Sequence, residues 1–128
     1  AIYEGVVFSH MTHLNRMRER FTDVHTLRVT GGPAHSDVWM QMLADVSGLR
    51  IELPQVEETG CFGAALAARV GTGVYHNFSE AQRDLQHPVR TLLPDMTAHQ
   101  LYQQKYQRYQ HLIAALQGFH ARIKEHTL

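Results

Sequence analysis

Leu27-Arg-Val-Thr-Gly-Gly-Pro-Ala-His-Ser-Asp-Val-Trp-Met-Gln-Met-Leu-Ala-Asp45 changes period part-way along, and that change sets the kind of domain the chain builds. Leu27 and Val29 alternate with Arg28 and Thr30, the period of two that gives a strand one inward face. Gly31-Gly32-Pro33 then turns the chain. Beyond Ser36 the apolar residues recur every three to four positions, which predicts a helix with Val38, Met42 and Val46 inward and Trp39 and Leu43 beside them. Strand, glycine turn and helix together aim backbone N–H groups and the positive end of a helix at a bound anion. Glycine adds a backbone that a ligand can approach without meeting a side chain. Taken alone, the segment reads more simply as the ordinary turn that most α/β proteins carry between a strand and a helix.

Working outward, the spacing over residues 1–20 predicts an amphipathic helix with Ile2, Val6, Leu14 and Met17 on one face, Val7 and Phe8 beside them, and a polar end formed by Arg16, Arg18, Glu19 and Arg20. Gly5 in this helix reads either as close backbone packing or as a neutral solvent position. On the other side, Gly48 is the expected stop for the central helix. Leu49, Ile51 and Leu53 alternate with Arg50 and Glu52, giving a second strand closed by Pro54. Glu57 and Glu58 precede a helix whose small residues, from Gly60 to Ala68, suit close burial against a sheet or another helix. Gly71-Thr-Gly ends it. Ser79-Glu-Ala-Gln82 and Thr97-Ala-His-Gln100 read as capping boxes opening a short helix and the longest one, the latter running to about His126. His87-Pro88 to Pro94 between them is an extended connector or an edge strand. Tyr102, Tyr106, Tyr109, Ile113, Leu116 and Ile123 make a docking stripe on the last helix. Two strands alone make no stable sheet, so a larger mixed sheet is expected.

At 128 residues, 44% of them hydrophobic and 19% charged, the chain has the size and composition of one globular domain. Twelve basic residues balance twelve acidic ones, so no broad field favours nucleic acid or an anionic membrane, and neither is expected as a partner. No apolar run reaches the length of a membrane span. The single Cys61 excludes an internal disulfide and reads as a small buried residue rather than a nucleophile. The ten histidines are scattered; only His10 and His13 are close, with no nearby ligand to complete a set, so no metal site is expected. Glu57 and Glu58 suit the helix dipole better than an acid/base pair. Asp45, an acid near a helix end, has no local explanation. The start, Ala-Ile-Tyr-Glu-Gly, shows no export signal and no methionine, which reads as truncation or processing and a cytoplasmic setting.

The string from Thr30 to Asp45 resembles the nucleotide-binding segment of the FGGY carbohydrate kinases, a Gly-Gly-Gly-Ala-x-Ser-x-x-Trp-x-Gln-x-x-Ala-Asp pattern. Gly48 to Ala68 is similar to that family's strand, Glu-rich turn and Gly-Ala-Ala helix, and Ala1-Ile-Tyr-Glu-Gly-Val-Val-Phe8 to its Ala-x-x-Glu-Gly-x-x-Phe helix. The nearest likeness is to members that phosphorylate a pentulose such as L-xylulose. The resemblance implies an α/β fold, the C-terminal portion of a ribonuclease H-like (actin-like ATPase) domain, with a strand–helix–strand–helix core flanked by long N- and C-terminal helices. It makes residues 1–128 the C-terminal segment of the nucleotide-binding domain, with the sugar-binding domain lying outside the sequence. ATP and Mg²⁺ are the implied cofactors, nucleotide and sugar the implied partners. Gly31 and Gly32 would pass close to the phosphates and Ser36 would face the adenosine end. Pro33 departs from the pattern, replacing a third glycine and removing one N–H. The aspartate base and the Mg²⁺ acids of such kinases belong upstream of Ala1, so no residue here is assigned as catalytic, and the 128 residues alone are expected to be inactive. Exposed strand edges would favour self-association. Two other readings stay open: an interaction module docking through the tyrosine-rich helix, and half of an actin-like chaperone ATPase, against which the Trp39-x-Gln41-x-x-Ala44-Asp45 string argues.

Overall fold

The computed structural model describes residues 1–56, 58–84 and 89–125. In order they form α1 (Ile2–Arg20), β1 (Thr26–Arg28), a 3-10 turn (Gly32–His35), α2 (Asp37–Ser47), β2 (Arg50–Pro54), α3 (Thr59–Gly71), α4 (Phe78–Asp84), β3 (Val89–Leu92) and α5 (Met96–Glu125). The expected strand–helix–strand–helix core is present between two long helices. The sheet runs β1-β2-β3, with β1 parallel and β3 antiparallel to β2. The connector before Pro94 is thus an edge strand that brings the sheet to three. His87 and Pro88 lie outside the described residues, as does Glu57.

Helix α2 is the hub. On one side Met40 and Ala44 pack on Ile51 and Leu53 of the sheet. On the other, Val46 joins Val7, Phe8, Met11 and Leu14 of α1 and Tyr106 of α5. The inward face therefore differs from the one the spacing suggested: Val38 is 73% exposed, while Met40 and Ala44 are buried. Two layers compete for α2, so the buried surface wraps more than one stripe and a single-stripe reading misplaces its centre. Helix α1 is rotated likewise. Val7, Met11 and Leu14 line its seam, and Ile2 and Met17 are exposed at 85% and 55%. Phe8 fixes that rotation by packing among Tyr102, Tyr106 and Tyr109, with ring centroids 6.4, 5.7 and 5.5 Å away. The tyrosine stripe of α5 thus docks within the chain. Thr12 Oγ1 meets the Tyr106 hydroxyl at 3.1 Å, and Lys105 bonds Glu4 at 2.7 Å. Leu116 is exposed, and the side chain of Ile123 lies outside the description.

Both capping assignments fall two residues late. Asp95 caps α5, its Oδ1 accepting from Thr97 N–H at 2.8 Å and Ala98 N–H at 3.2 Å. Asn77 caps α4, accepting from Glu80 N–H at 2.9 Å, while Glu80 Oε2 accepts from His76 N–H at 2.7 Å. Helix α3 is the largest correction: Leu66 is its one buried residue among those described, and Cys61 is exposed. Small side chains permit close packing, but they do not themselves supply a partner. A side chain at Gly5 would meet nothing within 4 Å, so the solvent reading of that glycine holds.

Candidate functional site

The two parallel strands end at one place. Thr30 and Gly31 follow β1, and Pro54 ends β2 with Gln55 and Val56 after it; together with the start of α2 they enclose an open cleft of about 390 Å³. Parallel strands carry the chain out at the same end, so the loops after them share a crevice, where α/β sheets commonly take ligands. Gly31 makes the bend with φ +89° and ψ −174°, a backbone region open essentially to glycine alone. A 3-10 turn then leads through Pro33 to Ser36, which caps α2 by accepting from Trp39 N–H at 3.4 Å. A Cβ placed on Gly31 or Gly32 would meet nothing within 4 Å, so the backbone of the bend lies open. Of the three residues singled out from sequence, Gly31 lines the cleft, Gly32 follows it at the head of the turn, and Ser36 sits behind it as the cap. The lining also includes two charged residues that the sequence reading did not select, Asp37 and Arg90.

Strand register puts them there. Arg90 stands opposite Leu53 on the antiparallel pair, so both point to the sheet face that α2 covers. Leu53 packs under α2, whereas the longer side chain of Arg90, the second residue of β3, reaches the first residue of that helix and pairs with Asp37. The Arg90 guanidinium, first by its hydrogen bond and then by Coulomb attraction, holds the Asp37 carboxyl below the usual carboxylate range, and Arg90 is raised in return. The signal available in sequence was Val89-Arg-Thr-Leu92 itself, where Arg90 shares the inward parity of Leu92.

Asp45 gains an explanation. Its Oδ1 accepts from Gln41 Nε2 and from Asp95 N–H, both at 2.8 Å, and its carbonyl accepts from His99 Nδ1 at 2.7 Å. Gln41 also donates to the Leu93 carbonyl at 2.9 Å. This network ties the β3–α5 junction to α2 and so fixes where Arg90 stands. Among the described residues no three His, Cys, Asp or Glu converge on a metal-sized site, and no helix is long and apolar enough to cross a membrane.

The C-terminal domain of the FGGY family of carbohydrate kinases matches residues 1–72. The chain belongs to that family. An L-xylulose/3-keto-L-gulonate kinase of Escherichia coli K12 is 98% identical over all 128 residues, which span 26% of that relative. A probable L-xylulose kinase of Haemophilus influenzae is 52% identical over 118 residues, 92% of this chain and 24% of the relative. This FGGY chain therefore spans about a quarter of the length of the curated relatives it matches. Among solved structures, a xyloylose kinase from Brucella ovis superposes with a TM-score of 0.77 at 28% identity, over 93% of this chain and 24% of that one. The fold is that of the actin-like ATPase sugar kinases. The family match ends at residue 72, so the wall carrying Arg90 lies beyond it.

Proposed function

We propose that this FGGY chain forms the nucleotide-binding side of an ATP-dependent kinase that phosphorylates a pentulose such as L-xylulose, with residues 1–128 as the C-terminal segment of its nucleotide-binding domain. The observation that carries the reading is the open bend at Gly31 and Gly32, set where two parallel strands end and α2 begins. In it Gly31 and Gly32 pass beside the phosphates, and Ser36, by capping α2, holds the helix start in place beneath the adenosine end. Loss of one N–H at Pro33 stiffens the turn at the expense of one donor. The identity to L-xylulose kinases supports the choice of sugar, which is taken up by parts of the enzyme outside this sequence.

Phosphoryl transfer relies on positioning and charge neutralisation, with a carboxylate orienting the attacking hydroxyl. Bound Mg²⁺ supplies neutralisation of phosphate charge. Asp37, the carboxylate among the described cleft residues, is ill suited to act as base because its pairing with Arg90 lowers its proton affinity. The role of this chain is to seat the nucleotide, and by itself it turns over no sugar. The reading places the kinase in the cytoplasm, where ATP is available. Against the interaction-module reading stands the internal use of Tyr102, Tyr106 and Tyr109 around Phe8.

Calorimetric titration with ADP tests the proposal. The parent sequence binds, and Gly32→Val weakens binding at least tenfold with the fold retained by circular dichroism. Equal affinity in the two proteins, or none in the parent, overturns it.

A further inference from the structure

Resting on that reading of the cleft, we infer that Arg90 is a nucleotide-phosphate contact, held in the free protein by Asp37, whose charge it compensates. Three observations lead there. Arg90 and Gly31 line the same cleft, one from β3 and the other from the bend after β1, so a group seated on the bend faces the guanidinium. The pairing of Leu53 with Arg90 fixes the side of the sheet on which Arg90 emerges, and the Gln41–Leu93 and Asp45–Asp95 bonds clamp the chain just after β3 to α2. Finally, a carboxylate at the rim of an anion site repels the anion unless it is compensated. Arg90 compensates Asp37 and keeps a planar fork of donors suited to phosphate oxygens.

A purely structural latch and an anion contact predict different signs. If the pair only ties β3 to α2, removing either partner breaks the same bond and perturbs the cleft alike. If Arg90 meets phosphate, removing it leaves Asp37 as an uncompensated negative charge, whereas neutralising Asp37 releases Arg90 to the ligand.

The test is ADP and adenosine binding by calorimetry in the full-length protein, for Arg90→Ala, Asp37→Asn and the double variant. Arg90→Ala weakens ADP by about tenfold or more, the scale of a charge-assisted contact, while adenosine affinity stays within about twofold. Asp37→Asn binds ADP as well as the parent or better, and the double variant recovers part of the loss. Equal weakening by Arg90→Ala and Asp37→Asn, or no effect of Arg90→Ala while Gly32→Val abolishes binding, overturns the inference and leaves the nucleotide reading standing. Absence of ADP binding in the parent overturns both. Should Arg90→Ala fail to fold, Arg90→Gln takes its place: weaker ADP binding with unchanged adenosine affinity upholds the assignment, and unchanged ADP binding contradicts it.

Discussion

Gly31 and Gly32 look alike in sequence and are used differently. Gly31 needs its missing Cβ for conformation, since φ +89° with ψ −174° is closed to other residues. Gly32 has no positive φ to maintain, and its missing Cβ instead leaves the backbone at the head of the 3-10 turn open. Gly31→Ala should therefore lower stability by about 1–3 kcal/mol in urea denaturation, with no ligand present. Asp37 carries a pH dependence whose sign is fixed by its lowered folded-state value. Its pairing with Arg90 contributes fully above the ordinary carboxylate range and is lost as pH falls through the depressed value. The same holds for Glu4, held down by its hydrogen bond to Lys105. Acid titration should thus weaken both the β3–α2 and α1–α5 contacts together, and Asp37→Asn with Glu4→Gln should flatten the acid limb of a stability-against-pH curve. The bend was legible because glycine and proline act through local backbone geometry. Arg90 was not, because its place in the cleft depends on a strand register set by residues far away in the chain.

Elements were located better from sequence than their faces were. Helix α2, β2 and the αL stop at Gly48, φ +67°, stand where spacing and chemistry put them. The caps of α4 and α5 lie two residues upstream of the Ser/Thr boxes, because Asn77 and Asp95 accept from N–H groups that precede those the boxes would bond, so each helix has already begun. Asp45 shows why local rules fail for some residues: unfavourable for the dipole of its own helix, it accepts a bond from the start of another. Asp45→Ala strands the Asp95 N–H and leaves Gln41 with only its bond to the Leu93 carbonyl, and should cost about 1–3 kcal/mol, with the loss seen first as fraying of α5 by hydrogen exchange. Gly48→Ala should add to the damage at the same junction, since a Cβ there would come within 2.7 Å of the His99 ring. The misjudged burial of α3 has a plain cause. Composition records what a helix can pack against, while burial depends on what is there to meet it.

Across the whole molecule, stability rests on two clusters that share α2. Ile51, fully buried on the central strand, is the hinge of the sheet-side cluster, and Ile51→Ala should cost about 2–5 kcal/mol. The other side of β1 has no partner among the described residues. Beside that strand lies an apolar hollow of about 410 Å³ between α1 and α2, lined by Leu14, Met17, Leu27, Trp39 and Leu43. An open strand edge next to apolar surface invites pairing, so the 128-residue chain on its own should self-associate with rising concentration in sedimentation velocity. Whether the bend after β1 cradles the anionic end of a nucleotide is decided by a crystal structure of the complex with ADP. The diphosphate should lie within hydrogen-bonding distance of the Gly31–Gly32 backbone, with Arg90 turned toward it. Diphosphate bound away from that bend, with Gly31, Gly32 and Arg90 facing solvent, would contradict it.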